Sequence, residues 1–236
     1  MERLNRYIGV DVQAARGCAF AVLDELGRSV ESGWLGSETG RDAAEDLRNL
    51  VGRHVEAVGS VNVAVGIDAP RRPLDGPRQW YWDGAKLVWR QRRVSDRGNG
   101  RHCEVVVSAH RIANPQWTPH ARPFPEWMDR GFALFAEIVG VAATYEVFPS
   151  ASYTLLNTER SVILAVCLSS FAHGPKDMLD AYVSAATVRE FIEGRGQAIG
   201  GGDGQGEIIL PRPLPRPIEQ VLKWPPKGAI KPTERN

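Results

Sequence analysis

Two short apolar runs in this chain each carry an aspartate, residues 7–12 (YIGVDV) and residues 61–70 (VNVAVGIDAP). Both have the length and composition of strands buried on two faces. An aspartate in such a strand is costly to bury as an anion, so the fold must bring some compensation to Asp11 and to Asp68. If the two strands are neighbours, their carboxylates converge at one edge of the sheet. Carboxylates that close repel and raise a pKa, and a divalent cation relieves both problems.

The segments between the two runs support that pairing. Residues 18–24 form a second apolar run after a turn ending in Gly17, and residues 28–35 alternate loosely around Val30, Trp34 and Leu35. The start of the chain therefore reads as three antiparallel strands joined by tight turns. Residues 41–54 follow with Ala44, Leu47, Leu50 and Val51 at helical spacing, Asp42, Glu45 and Asp46 near the start, and Ser37 or Thr39 as the cap. A fourth strand parallel to the first needs this helix as its crossover, which predicts a mixed α/β sheet.

Residues 71–125 show no clear period and many breakers, including Pro73, Gly76, Pro77, Gly98, Gly100, Pro115 and Pro119, and read as an irregular insertion. A helix is expected over 126–139, a short strand over 144–148, a helix over 155–172 and the clearest helix over 176–194. Residues 200–206 (GGGDGQG) form a flexible turn and EIIL an edge strand, while 211–236 is a proline-rich basic tail, extended or disordered. The expected organisation is one domain over 1–210, with the insertion inside it, followed by the tail.

Composition narrows the function classes. With 43% hydrophobic and 24% charged residues in 236, the chain has the make-up of a soluble globular protein. A net charge of +1 demands no polyanionic partner in bulk, so any such preference must come from where the charges sit. Cys18, Cys103 and Cys167 are odd in number and far apart, which argues against a disulfide framework or structural zinc. No apolar stretch reaches transmembrane length and no signal-like apolar core follows Met1, so a cytoplasmic location and no membrane partner are expected.

Asp177 and Asp180 open the last clear helix three residues apart, on one face and in the first turn, where the helix dipole favours negative charge. With Asp11 and Asp68 they make a set of hard oxygen donors without an accompanying His or Cys cluster, which selects Mg2+ or Mn2+ over zinc. Three of the aspartates also have a plain structural role open to them: Asp177 as a helix-opening residue, Asp68 as a turn former before Ala-Pro, Asp11 as a cap of the following turn.

The segments IGVDVQAARGCAFAVL, VAVGIDAPRRPL, RHCE, YEVFPSASY and KDMLDAYVSAATVRE resemble signatures of an uncharacterised family of predicted nucleases in the ribonuclease-H-like superfamily. The resemblance spans residues 7–193. It implies a mixed five-stranded sheet, three antiparallel strands then parallel ones, flanked by helices, with the insertion after strand four. It also implies a metal site carried by Asp11, Asp68, Asp177 and Asp180, the Asp-x-x-Asp helix being similar to that of Holliday-junction resolvases. Glu146 in YEVFP matches a family position at the end of the fifth strand, as a further ligand or as a solvent-facing strand residue; Glu104 is a weaker candidate. Resolvase-like members are often dimers, which leaves a homodimer open.

Residues 71–101 hold nine Lys or Arg against Asp75, Asp83 and Asp96, with Trp80, Tyr81, Trp82 and Trp89 interleaved. Cations that track phosphates beside rings that stack bases are the ingredients of single-strand binding, and Arg71, Arg72, Trp80, Trp82 and Arg101 are the candidate substrate contacts. The same tryptophans and arginines also suit packing of the insertion onto the sheet. His102, His110 and His120 fall in the insertion without ligand spacing; any of them suits a proton shuttle.

Three functions follow. The first is a divalent-metal-dependent nuclease that hydrolyses phosphodiesters of RNA or DNA by a carboxylate-held two-metal mechanism. The second is a binding module that keeps the fold and holds nucleic acid or protein without turnover. The third, an actin- or sugar-kinase-like phosphotransferase, shares the opening strand-turn-strand with an Asp but needs a repeated unit with its own Gly-rich phosphate loop, and the chain shows no such repeat.

Overall fold

The computed structural model describes residues 5–36, 42–156 and 174–225. The expected meander forms: β1 (Arg6–Asp11), β2 (Cys18–Leu23) and β3 (Ser29–Leu35) pair antiparallel in sequence. Helix α1 (Ala43–Val58) then crosses over, and β4 (Val63–Asp68) returns parallel to β1. The cap of α1 is Asp42, whose carboxylate accepts from the Ala44 N–H at 2.9 Å. Ser37 and Thr39 lie outside the described residues.

Among the described residues the sheet has seven strands rather than five, in the order β3, β2, β1, β4, β7 (Ala143–Glu146), β9 (Glu207–Leu210) and β8 (Gln197–Gly200). Strand β7 (Ala143–Glu146) pairs parallel with β4, as a fifth strand was expected to. Beyond it lies β9 (Glu207–Leu210), parallel to β7 and antiparallel to β8 (Gln197–Gly200). EIIL is thus an interior strand, and the edge is taken by QAIG. The result is an α/β protein with a mixed sheet. No described helix is long and apolar enough to cross a membrane.

Each sheet face has its own cover. Ile8, Val10, Val65 and Ile67 pack under α1 and α3 (Glu126–Glu137), with Leu47, Leu50, Leu134 and Phe135 as the facing layer. The opposite face, through Tyr7, Ala19, Ala21 and Ala64, is covered by α5 (Pro175–Ile192), which contributes Met178, Ala181, Tyr182, Ala185 and Val188. Helix α4 (Pro149–Leu156) leans on α5, where Thr187 Oγ1 bonds to Ser152 Oγ at 2.9 Å. Of the helix expected over 155–172, all but the end of α4 lies outside the described residues.

The insertion and the tail are more ordered than their composition suggests. Residues 71–125 contain a hairpin, β5 (Trp80–Asp83) with β6 (Val88–Gln91), and helix α2 (His102–Ala109). The described part of the tail folds back over both. Leu214 and Val221 are buried in a third apolar cluster with Cys103, Val106 and Ile208, and Trp89 Nε1 donates to the Gln220 carbonyl at 3.0 Å. Trp82, Trp89, His102 and Trp224 stack edge to face around that contact. The short helix α6 (Glu219–Leu222) lies in this stretch.

Candidate active site

Asp11 and Asp68 are register partners at the C-terminal ends of the parallel pair β1 and β4. Two residues earlier Gly9 stands opposite Gly66, so with a side-chain period of two the glycines and aspartates share one face. That face meets α5 without intervening side chains. A Cβ on Gly9 would lie 2.1 Å from the Ala181 carbonyl oxygen, and one on Gly66 would lie 2.5 Å from Val188 Cγ2. Any larger residue would lift the helix from the sheet. The close approach brings the first turns of α5 to the strand ends, and with them Asp177 and Asp180.

All four carboxylates are at least partly enclosed, with Asp11 3%, Asp177 6% and Asp180 5% exposed. Gln13 Nε2 donates to Asp11 Oδ2 at 2.6 Å. Tyr153 Oη donates to Asp180 Oδ1 at 2.7 Å and Lys176 Nζ to Asp180 Oδ2 at 2.5 Å. Asp177 pairs with the half-exposed Arg16, although its buried Oδ2 has no hydrogen bond of good geometry. Among the described residues, the Asp68 side chain has neither a hydrogen bond nor an ion pair.

The electrostatics follow from that arrangement. Burial pushes Asp11 up to about 7, and the negative charges of Asp180 and Asp177 add to it against the Gln13 hydrogen bond and the Lys176 charge. Burial likewise holds Asp68 well above the ordinary carboxylate range, reinforced by Asp11 and Asp180. Lys176 is raised by its bond to Asp180, and the Tyr153 hydroxyl is raised by burial and then by the same carboxylate. The four carboxylates thus outnumber the two cations paired with them among the described residues, Arg16 and Lys176, and the strain of ionising all four shows as the raised pKa of Asp11 and Asp68. Such a surplus of hard oxygen donors fits Mg2+ or Mn2+. Among the described residues, however, no three His, Cys, Asp or Glu side chains stand together as a ready metal cage; Gln13, Lys176, Tyr153 and Arg16 each draw a carboxylate toward themselves.

Glu146 is neither a solvent-facing strand residue nor a member of this cluster. Its Oε2 accepts from Arg101 Nη1 at 2.5 Å and its Oε1 from the Arg71 N–H at 2.8 Å. Arg101 also bonds Glu104 through Nε at 2.8 Å, and Glu104 takes further bonds from the Arg101 and Thr118 N–H groups and the Thr118 hydroxyl. Arg101, Glu104 and Glu146 are all nearly inaccessible. Arg101, expected as a substrate contact, is instead buried with its guanidinium bonded to Glu104 and Glu146. A cavity of about 50 Å3 separates this network from Asp68, walled also by Pro70 and Trp127.

The remaining candidate contacts divide. Arg71 stacks on Phe135 with its guanidinium carbon 4.6 Å from the ring centroid, and donates to Thr144 Oγ1 and O. Arg72 is exposed and pairs with Asp75 at 3.1 Å. Trp82 packs against Trp89, whereas Trp80 lines an open cavity of about 690 Å3. The neutral-ring bonding of His102, with Nδ1 accepting from the Gly202 N–H and Nε2 facing the Val221 carbonyl, leaves no site for a proton shuttle there. Residues missed in the sequence include Gln13, Arg16, Tyr153 and Lys176. Lys176 alone had a visible signal, four residues before Asp180 on a helix.

Comparison of the chain with protein-family models, with curated proteins and with solved structures returned no match.

Proposed function

We propose that the protein is a divalent-metal-dependent nuclease built on a ribonuclease-H-like sheet. One observation carries the reading: Asp11 and Asp68, adjacent in a parallel register, lie under a helix whose first turns bring two more aspartates, four carboxylates against two paired cations. The strand order β3-β2-β1-β4-β7, with α1 as crossover, supports the scaffold, and β9 and β8 extend it on one side.

Asp11, Asp68 and Asp180 would hold Mg2+ or Mn2+, with Asp177 completing the set. The ions supply Lewis-acid activation of water and charge stabilisation at the leaving oxygen of a phosphodiester. The chain's own groups do the rest. Gln13 fixes the orientation of Asp11 through Oδ2, Tyr153 holds Asp180 through Oδ1, and Lys176, whose side chain is largely exposed, offers a positive charge to an approaching phosphate. The close seat of α5 on Gly9 and Gly66 keeps these oxygens from drifting apart.

Cleavage of labelled single-stranded, duplex and branched RNA and DNA in Mn2+ or Mg2+ tests the reading. Asp11→Asn should abolish activity; cleavage undiminished in that variant sinks it. A second reading, a binding module without turnover, draws on the ion pairs that already engage Asp177 and Asp180. Tight binding with no metal-dependent cleavage of any substrate selects that module.

A further inference from the structure

Arg78 sits between two rings, its guanidinium carbon 4.1 Å from the Tyr81 centroid and 5.1 Å from that of Trp117. Both rings meet its face, which leaves its in-plane N–H groups to be satisfied elsewhere. Nε and Nη1 are buried and have no hydrogen-bond partner among the described residues. A buried donor without an acceptor is costly, more so on a charged group, so this position calls for an oxygen that the chain does not supply.

The cavity of about 690 Å3 that Arg78 lines offers the space. Its volume is within the usual range of a small-ligand site. Arg92 and Trp80 share its wall with Trp224. Among the described residues the Trp80 side chain has no ring contact or hydrogen bond, whereas Trp82 and Trp89 pack on each other. The two carboxylates in the wall are already engaged. Asp75 is held by Arg72 and Gln205, and Asp203 by the N–H groups of His102 and Gln205. What remains available is positive charge and an aromatic face.

We propose that this cavity, between the β5–β6 hairpin and the turn at Asp203, binds one nucleotide unit, its phosphate on Arg78 and Arg92 and its base against Trp80. A small rotation of the guanidinium toward the cavity gives its unpartnered N–H groups an anionic oxygen, and stacking on a tryptophan accepts any base. The site deepens the nuclease reading by naming where substrate is gripped, and rests on that reading only for delivery to Asp11 and Asp68. It shifts the grip from Arg71, Trp82 and Arg101, which pack the fold, to residues whose bonding is incomplete.

Binding of a fluorescein-labelled oligothymidylate of about twelve nucleotides to the full-length protein, read by anisotropy in EDTA so that no cleavage intervenes, tests the proposal. Trp80→Ala should weaken binding about tenfold. Arg78→Gln should do the same and lower the salt slope by about one, and Arg92→Ala should also lower the slope. Arg53→Ala on α1, a cation paired with Glu31 on the helix-covered side, should change nothing. Competition with thymidine monophosphate separates the ligand sources: displacement at equal nucleotide concentration identifies a free nucleotide, and resistance to it a strand, either outcome supporting the cavity. Undiminished affinity in folded Trp80→Ala and Arg92→Ala proteins, or no binding at low salt, overturns it. Binding that follows the prediction without cleavage in Mn2+ would instead count against the nuclease alone.

Discussion

Two groups of acids lie on either side of the small cavity beside Asp68, and their bonding differs completely. In the Arg101 network each carboxylate oxygen of Glu104 and Glu146 receives a donor from Arg101, Arg71 or Thr118. In the Asp11 cleft, among the described residues, Asp68 has no side-chain partner and Asp11 has one neutral amide. Both groups are buried and both contain two or more acids, so acid content does not separate structure from function. Hydrogen bonding does: every carboxylate oxygen of the network has a donor, whereas among the described residues the Asp68 carboxylate has none.

The largest way to break the contrast is to open the closed side. Arg101→Met removes the single cation shared by two buried glutamates and should cost about 3–5 kcal/mol of stability in urea unfolding, because it leaves uncompensated buried charge. Adding Glu146→Gln and Glu104→Gln to that variant should return much of the loss. If Arg101→Met unfolds at the wild-type midpoint, the network is not closed as described.

The opposite manipulation on the cleft should stabilise. Asp11 carries a pKa raised to about 7, so in metal-free protein its contribution is fully present below its unfolded pKa and is lost as pH rises through 7. Asp11→Asn should therefore raise metal-free stability at pH 8 by about 2–4 kcal/mol and by little at pH 4. Mn2+ at a hundredfold excess over its dissociation constant should raise wild-type stability at pH 8 by about 2.7 kcal/mol and leave Asp11→Asn unmoved. A variant that gains nothing at pH 8 means Asp11 is compensated after all.

These contrasts explain what the sequence could carry. The pairing of β1 with β4 was legible because an Asp inside each of two fully apolar runs is a local anomaly with one economical resolution, and the Asp-x-x-Asp spacing of α5 is a helical period. The outer strands were not. QAIG has four residues and one buried isoleucine, and EIIL reads as an edge strand until β8 covers it. The hairpin has two four-residue strands whose main anchor, the Gln220 carbonyl, lies far along the chain from Trp89. Proline-rich composition reports local stiffness and says nothing of Leu214 and Val221 docking on a distant cluster. Glu146 was misplaced for a related reason: its strand was read correctly, but the arginine that claims it sits 45 residues earlier in a segment without period. Gly9 and Gly66, two residues before each aspartate, were the unused signal for the helix above them.

The smallest effect concerns His102, next to Arg101, and its sign is opposite to that of Asp11. The ring is fully buried, Nδ1 accepts from the Gly202 N–H and Nε2 meets the Val221 carbonyl, so protonation would set an N–H against an N–H. Burial accordingly lowers its pKa, outweighing the Val221 carbonyl and Asp203. A lowered folded pKa means stability is complete above the unfolded value of about 6.5 and is lost as pH falls below it. Wild-type protein should therefore lose urea resistance between pH 7 and 5 on the His102 side while the Asp11 cleft gains it over the same interval. His102→Gln, which can still donate to the Val221 carbonyl, should remove the loss of urea resistance below about pH 6.5, whereas Asp11→Asn should remove the opposing gain and so leave a steeper loss with acid. If the double variant departed from the sum of the two single changes across pH 5–7, the two regions would be one coupled electrostatic unit, and the distinction between a closed network and an open cleft would fail.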